Sequence, residues 1–298
     1  MAFAAHSPPK RRRRNIVSKI LPYLFILPAI LLVTGLLGYA VVSGFITSLY
    51  IVQFWRLDSP FVGFGNYLEL FRNPVFQNSL RRSAIFVFGS VVGGTAIAFS
   101  FALVLFNVRY GRSVFRAIAL LPYLVSGIAA AIMWRFLFSG NAGITNVIFA
   151  AIDLEPITWL GHPDRALLVV TLANIWFISP FATLILLAGL QSIDGEYYEA
   201  AALDGALRWQ SFLYITLPLL GPMIAVSLVW LSFASFNSFE IILSMTAGGP
   251  GRATEVLAVY MYQLGFRELD YSTASAVMMV LLTINVLLSA VYLRVFKV

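Results

Sequence analysis

Long apolar runs without a charged residue alternate with short polar segments along this chain. A helix needs about 20 apolar residues to cross the hydrocarbon core of a bilayer. The charge-free runs include residues 20–55, 83–108, 166–193, 209–239 and 271–293. We predict six membrane spans, within about 20–49 and at about 83–107, 117–138, 166–190, 218–240 and 271–293. An even number of spans places both termini on one side of the membrane.

Several small residues and prolines refine this pattern. Asn66–Phe71 is a short amphipathic stretch that predicts a helix lying at the membrane interface. Pro122 and Gly127 predict a kink in the third span, because proline removes a donor from the helix interior. Gly89 and Gly93 are four residues apart in the second span, and small residues on one helix face let helices approach closely in lipid.

The composition supports a membrane protein and excludes several kinds of chemistry. Hydrophobic residues make up 60% of the 298 residues and charged residues only 11%, too few to cover the surface of a soluble domain. The predicted fold class is an all-α integral membrane protein with six transmembrane helices. The chain has no cysteine and two histidines, which excludes thiol chemistry and a histidine-rich metal site. It also lacks the G-x-x-x-x-G-K-[ST] phosphate loop, so we expect a non-enzymatic protein without a cofactor of its own.

The net charge of +7 has two interpretations. The basic run Lys10–Arg14 could contact nucleic acid, or it could hold the N-terminus in the cytoplasm, and its position directly before the first span favours the second. We therefore predict a cytoplasmic basic tail at 1–19 and a six-helix transmembrane domain at 20–298. Of the 20 basic residues, 12 then lie on the cytoplasmic side, as the positive-inside rule requires. Both termini are expected in the cytoplasm.

A compact polar segment at 191–217 separates the fourth and fifth spans. The alanines and leucine of 196–204 favour a helix, Gly205 favours a chain reversal, and 206–216 favours a second short helix. We expect Trp209, Phe212, Leu213 and Ile215 to supply the apolar contacts of the second helix. The residues alone also fit an ordinary amphipathic connector.

This segment closely resembles the EAA loop of ABC importer permeases. The matching residues are Glu199, Ala200, Ala201, Asp204, Gly205, Ala206, Phe212, Ile215, Leu217, Pro218 and Pro222. In that family the loop forms a coupling helix that docks in a groove of the ATP-hydrolysing subunit. The resemblance implies the type I ABC importer permease fold, with a cytoplasmic coupling loop at 191–217. It also implies that Glu199 faces a basic residue of the ATPase, that Gly205 permits the turn, and that Ala200 and Ala201 allow close approach.

The stretch 233–266 narrows the resemblance to carbohydrate-type permeases. It contains Thr246-x-Gly248-Gly249-Pro250, which is similar to the first of the two permeases in such importers, the maltose F-type or glycerol-3-phosphate A-type. The resemblance implies a second homologous permease as heterodimer partner, two copies of an ATP-binding subunit that hold ATP and Mg, and an extracytoplasmic solute-binding protein. Gly248, Gly249 and Pro250 are expected to form a tight turn and to contact the binding protein.

Candidate substrate-path residues lie near the end of the fifth span. Ionisable residues near membrane spans are often functional. Glu240 follows Asn237 by three residues and is expected on about the same helical face, with Trp230 and Phe233 at the same spacing. These four residues are candidates to bind hydroxyl-rich ligands. The alternatives are an interfacial Glu240 paired with Arg252 or Arg267, and aromatic side chains that only pack.

Three function classes compete at this point. The first is a permease of a binding-protein-dependent importer in a bacterial or archaeal cell membrane, carrying a sugar, a polyol or a glycerol phosphate. A non-carbohydrate small polar solute is the alternative substrate. An ion-coupled secondary transporter is expected to show internal repeats and ionisable residues at the midplane, and the sequence offers neither convincingly. An intramembrane enzyme would need a polar catalytic cluster that the spans lack.

Overall fold

A computed structural model describes residues 16–108, 110–140 and 143–296. By contacts the chain divides into two units, Met1–Ile46 and Thr47–Val298. The described part consists of helices joined by turns and irregular segments, with two isolated β-bridges, Tyr50 with Phe61 and Gln53 with Asp270. The basic run Lys10–Arg14 lies outside the described residues.

The helices follow one another with short connections. They are α1 (Ile16–Ser48), α2 (Gly65–Arg72), α3 (Pro74–Asn107), α4 (Arg112–Leu124), α5 (Gly127–Leu137), α6 (Ile144–Ala151), α7 (Pro163–Ser192), α8 (Gly195–Leu203), α9 (Arg208–Ser211), α10 (Leu217–Leu219), α11 (Gly221–Phe236), α12 (Phe239–Thr246), α13 (Leu257–Phe266) and α14 (Tyr271–Val295). A π-helical turn, Phe212–Thr216, joins α9 to α10. The short helix predicted at 66–71 is present as α2, and its position at the membrane interface stays a prediction.

Four helices are long and apolar enough to cross a membrane by themselves. They contain Phe25–Ser48, Pro74–Asn107, Pro163–Ser192 and Tyr271–Val295, and two bent pairs bring the possible spans to six. The second span begins earlier than predicted. Asn73 caps α3 there, because its side chain accepts a hydrogen bond from the Val75 N–H at 2.8 Å and Pro74 fits the first helical turn.

The third and fifth spans are broken rather than continuous. The axes of Ser113–Leu124 and Gly127–Leu137 differ by 90°, and those of Arg208–Leu219 and Gly221–Phe236 differ by 65°. The kink predicted from Pro122 and Gly127 is therefore a complete break between α4 and α5. Proline alone does not break a span, since Pro180 lies inside the uninterrupted α7.

Glycines bring α3 close to its neighbours. A Cβ on Gly93 would lie 2.5 Å from Ile175 Cδ1 of α7, and one on Gly94 would lie 3.1 Å from Leu231 Cδ2 of α11. A Cβ on Gly89 would lie 3.2 Å from Thr171 Cγ2. The helix contact predicted from Gly89 and Gly93 is confirmed, and its partner is α7.

A polar junction lies inside this apolar core. The buried Asn174 of α7 donates from its amide to Ser90 Oγ at 2.9 Å and to Ser235 Oγ at 3.2 Å. Its carbonyl oxygen accepts from Ser238 Oγ at 2.7 Å. Asn174 thus connects α3, α7 and α11, and it fixes the segment where the chain leaves α11 for α12.

Candidate functional site

A cavity of ≈ 420 Å³ lies where the two broken spans meet α7 and α12. One part of its wall is aromatic, with Tyr123 of α4, Phe177 of α7 and Trp230 of α11. The polar part comes from the segment between α11 and α12 and the start of α12. It consists of Asn237, Ser238 and Glu240. Breaks in helices place these side chains here, because a continuous fifth span would carry them along one helix.

The aromatic wall belongs to a larger ring cluster that includes Phe181, which is not itself in the cavity lining. The ring centroids of Phe181 and Trp230 are 4.4 Å apart, and Tyr123 lies 5.5 Å from Phe181 and 6.2 Å from Trp230. The Trp230 indole Nε1 is buried and has no hydrogen-bond partner among the described residues. Flat aromatic faces beside a few polar groups are typical of small-molecule sites.

Glu240 is the charged residue in the cavity lining, and its surroundings differ from the sequence prediction. The helix of the fifth span ends at Phe236, Asn237 caps it, and Glu240 lies in the first turn of α12. The prediction that Asn237 and Glu240 share a helical face is therefore wrong, although both line the cavity. Neither of the alternative ion pairs forms among the described residues, since Arg252 pairs with Glu255 at 3.2 Å.

The carboxylate of Glu240 lies against the first residue of α5. A Cβ built on Gly127 would be 2.8 Å from Glu240 Oε2, closer than real Cβ atoms come to such an atom. The absence of a side chain at Gly127 therefore makes room for the carboxylate. Gly127 was recognised in the sequence only as a kink residue, and its contact with α12 is tertiary.

The other residues predicted to line the substrate path do not all line the cavity. Trp230 lines it, whereas Phe233 is not part of the lining and is 53% exposed elsewhere on α11. The Asn237 amide nitrogen donates to the Phe233 carbonyl at 2.8 Å, so its side-chain oxygen and its second N–H are left for other partners. Phe177 and Ser238 were not identified from the sequence, because a single apolar residue or a single small polar residue forms no recognisable pattern.

A second, larger cavity of ≈ 590 Å³ lies between α3, α4, α5 and α7. Its lining has no charged residue, and its two hydroxyls are engaged with their own helix. Ser179 donates to the Ile175 carbonyl, and Thr183 donates to the Ser179 carbonyl at 3.0 Å. Its other polar groups are the indole N–H groups of Trp134 and Trp176, so this cavity offers no charged or carboxamide group to orient a polar solute.

The segment 191–217 forms the helix–turn–helix that the sequence predicts, and we call residues 195–216 the elbow. Asp194 caps α8 by accepting from the Glu196 N–H at 3.1 Å. Gly205 has a φ of 75°, and Ala206 N–H bonds back to the Ala201 carbonyl at 2.9 Å, which closes the turn.

The elbow exposes an apolar surface. No residue of α8 is buried, and Glu199 is exposed. Leu203 is 89% exposed and Trp209 is 55% exposed. Of the residues expected to supply apolar contacts, Trp209 and Leu213 are exposed in this chain. Exposed apolar side chains of this size indicate an interaction surface.

One ring contact joins the elbow to α3, and a second contact lies within the elbow. The Phe212 ring meets Phe99 of α3 edge-on, with centroids 5.8 Å apart. Tyr198 Oη of α8 lies 2.9 Å from Thr216 Oγ1 of the π-helical turn. The second contact thus joins α8 to the turn from which the fifth span continues.

The segment after α12 forms a tight turn, as the sequence predicts. Gly248 has a φ of 90°, and the Gly249–Pro250 peptide bond is cis. Thr254 Oγ1 donates to the Gly249 carbonyl at 2.8 Å and lies 2.7 Å from Thr246 Oγ1.

The buried carboxylate of Glu255 follows this turn in the chain. Glu255 is 2% exposed, accepts from Ser79 Oγ at 3.2 Å and pairs with Arg252. Burial raises the pKa of Glu255, and the nearby Glu268 adds to this, whereas Arg252 and Ser79 oppose it. Burial also raises the pKa of Tyr260 to about 12. The polar cavity beside the turn, ≈ 330 Å³, includes Arg252, Glu255 and Arg267 in its lining.

Comparison with known proteins gives the chain its family. Residues 62–297 match the family described as "binding-protein-dependent transport system inner membrane component". The chain is 37% identical over 290 residues to a trehalose/maltose transport system permease protein of Thermococcus litoralis, which covers 94% of this chain and 97% of the relative. It is 31% identical over 292 residues to a sulfoquinovosyl glycerol transport system permease protein of Agrobacterium fabrum, covering 97% of this chain and 94% of the relative.

The fold also matches solved structures. A chain in the crystal structure of a bacterial ABC transporter involved in the import of the acidic polysaccharide alginate superposes with a TM-score of 0.77, at 24% identity, covering 94% of this chain and 96% of that one. The predicted fold class, an all-α membrane protein of the ABC importer permease type, is confirmed. No group of three or more potential metal ligands occurs among the described residues. The chain is a multi-pass membrane protein, and it belongs to the family of inner membrane components of binding-protein-dependent transport systems.

Proposed function

We propose that this chain is one permease of an ATP-driven importer for a sugar or sugar-like solute. The observation that carries the proposal is the cavity at the two broken spans, where an aromatic wall faces Asn237 and Glu240. Aromatic rings pack against the apolar faces of sugar rings, and amide and carboxylate oxygens accept hydrogen bonds from hydroxyls. The names of two relatives, a trehalose/maltose permease and a sulfoquinovosyl glycerol permease, support the same solute class.

The substrate path runs past Trp230, Asn237 and Glu240, and the second permease supplies the opposite wall. Phe233, exposed on α11, faces that partner or lipid rather than the solute. The irregular backbone between α11 and α12, at Asn237 and Ser238, lines the cavity, which is where a membrane protein tolerates it.

The elbow receives the motion of a pair of cytoplasmic ATP-binding subunits. Its exposed surface, with Leu203 and Trp209, supports a docking role. Glu199, Ala200 and Ala201 lie on the docking helix, Gly205 with Asp204 and Ala206 forms the turn, and Phe212 and Pro218 link it to the spans. The partner subunits hold ATP and Mg, and hydrolysis there supplies the energy.

The remaining partners follow from this arrangement. The N- and C-termini and the elbow lie in the cytoplasm, and the turn at Gly248, Gly249 and Pro250 lies on the opposite side and contacts the solute-binding protein. The hydrogen bonds of Thr254 to the Gly249 carbonyl and to Thr246 hold the backbone groups of this turn in one arrangement for a partner. The chain is located in a bacterial or archaeal cell membrane.

ATP hydrolysis by the reconstituted complex tests the proposal. The complex contains this chain, the second permease, the ATP-binding subunits and the binding protein in sealed vesicles. We expect a neutral sugar or polyol to stimulate ATP hydrolysis and ATP-dependent uptake several-fold, and amino acids to have no effect. Stimulation only by a non-carbohydrate solute would contradict the sugar class, and uptake driven by an ion gradient without ATP would contradict the importer.

A further inference from the structure

We propose that the cavity selects uncharged polyhydroxylated ligands and rejects acidic ones, and that Glu240 is the residue that determines this specificity. The inference rests on the proposed function, because it concerns the substrate path of the same importer. It adds the charge of the solute, which membership of the family does not give.

The charge of the lining is the first argument. Ten residues line the cavity, and Glu240 is the charged one among them. The other polar side chains, Asn237 and Ser238, are neutral. At the effective dielectric constant of a protein, a carboxylate several ångströms from the charge of an acidic ligand lowers the occupancy of the cavity by that ligand on the order of tenfold. An acidic ligand therefore meets repulsion without a compensating cation on this wall.

The facing helix α5 carries one cation, Arg135. Its guanidinium reaches α12 one helical turn beyond Glu240, where it lies 3.5 Å from the Ser244 carbonyl. Glu240 has no ion pair within 4 Å among the described residues. Its carboxylate is thus available to a solute, because no described side chain forms an ion pair with it.

The position of the carboxylate is the second argument. Oε2 lies against Gly127, the first residue of α5, whose Cβ would come within 2.8 Å of it. The N-terminus of a helix carries partial positive charge, which moderates the field of the carboxylate and holds it at this place. A hydroxyl-rich neutral ligand can donate to the carboxylate oxygens and rest on the aromatic wall without separating a tightly bound counter-ion.

The field in the cavity can be measured without knowing the substrate, because the chain has no cysteine. Asn237→Cys places a thiol in the lining, and Ala234→Cys is a second such variant. In the assembled complex, each thiol is modified by methanethiosulfonate reagents bearing a sulfonate or a trimethylammonium group. The rates are divided by those of a free small thiol. We expect the cationic reagent to react faster, and Glu240→Gln to reduce this preference on the order of tenfold.

Two further variants separate position from charge. Glu69→Gln removes an exposed carboxylate of α2, outside the cavity lining, and is expected to leave the preference unchanged. Gly127→Ala keeps Glu240 but displaces its carboxylate, so the preference should change while the complex still assembles. An equal preference with and without Glu240, or no reaction of either thiol with any reagent, would overturn the proposal.

The solute itself gives the second readout. With the binding protein present, a neutral disaccharide and an acidic disaccharide of the same size are compared for stimulation of ATP hydrolysis. We expect only the neutral one to stimulate the wild-type complex. Stimulation by the acidic sugar alone would overturn the charge assignment and leave the sugar importer standing. A complex that no sugar stimulates would contradict the proposed function, whereas the thiol rates would still report the charge of the cavity.

Discussion

At the scale of single residues, backbone and charge decide where function is possible. Gly205 has a left-handed φ that residues with a Cβ adopt only at a cost of about 1–2 kcal/mol, and Glu255 is a carboxylate buried with one cation. Gly205 was evident in the sequence as a helix breaker. Glu255 gave no signal, because its burial comes from Ser79 of α3, which is 176 positions away in the chain.

Replacement of Gly205 by valine should uncouple transport. A β-branched side chain disfavours the φ of 75°, so the turn between α8 and α9 opens and the elbow loses its shape. We expect uptake and solute-stimulated ATP hydrolysis to fall at least about tenfold with normal membrane insertion.

Gly195→Ala is the matched control for this substitution. Gly195 begins α8 on the same elbow, has no positive φ, and its Cβ would meet nothing within 4 Å. Loss of activity in both variants would indicate that any added side chain disturbs docking, and would contradict the conformational explanation.

The raised pKa of Glu255 predicts a pH dependence of stability. A carboxyl group whose pKa is higher in the folded than in the unfolded state stabilises the fold most when it is protonated. Its contribution is therefore lost as the pH rises from the ordinary pKa of 4.5 through the raised value.

Thermal unfolding of the purified complex in detergent, followed from acidic to neutral pH, checks this. The Glu255→Gln variant should show a smaller decrease of Tm over that range than the wild type. Glu69→Gln, an exposed carboxyl group on α2, should follow the wild type, and identical curves for Glu255→Gln and wild type would contradict the assignment.

At the scale of helices, the sequence predicts that a helix is present better than it predicts whether that helix is continuous. Apolar length alone indicates where α3, α7 and α14 lie, because the requirement comes from the thickness of the bilayer. The break between α4 and α5 was predicted only as a kink, and neither the break between α10 and α11 nor the separation of α11 from α12 was predicted. At the separation of α11 from α12, Ser238 donates a hydrogen bond to Asn174, a residue on another span that no local pattern indicates.

Asn174 therefore offers a test of how the break is held. Asn174→Ala removes the partner that Ser90, Ser235 and Ser238 share. Ser90 and Ser235 are buried, whereas Ser238 keeps its bond to the Ala234 carbonyl, and we expect a loss of about 1–3 kcal/mol of stability. Differential scanning calorimetry of the complex measures this loss of stability. The variant should also lower the affinity for solute, because Ser238 lies in the cavity wall.

Asn285→Ala is the comparison variant. Its amide donates to the Leu281 carbonyl of its own helix, so no junction between helices is lost. We expect less than about half the effect of Asn174→Ala, and equal effects would contradict the role of Asn174 as a junction.

At the scale of the whole molecule, the family and the fold could be predicted from the sequence, whereas the candidate sites could be predicted only in part. The EAA-like residues are local and could be found by spacing, and the elbow has the predicted form. The cavity combines residues from α4, α5, α7, α11 and α12, which are brought together only by packing. For this reason Trp230, Asn237 and Glu240 were found as neighbours in sequence, and Phe177 and Gly127 were not.

The orientation in the membrane is a property of the whole chain and can be tested with single cysteines. Tyr110→Cys lies in the exposed connection between α3 and α4, which we place in the cytoplasm, and Glu155→Cys lies in the exposed connection between α6 and α7, which we place outside. A membrane-impermeant maleimide should label Glu155→Cys in intact cells and Tyr110→Cys only after permeabilisation. The reverse pattern would invert the proposed topology.

The contact between Gly127 and Glu240 gives the importer a simple route to a new cargo. Because one hydrogen on Gly127 leaves room for a flexible carboxylate, adding a single methyl group would re-aim the charge without disturbing a helix contact. Neither residue belongs to the elbow, so selection of cargo and use of ATP can diverge independently. A descendant of this chain could thus transport a different solute after one or two substitutions while keeping the proposed ATP-hydrolysing partners.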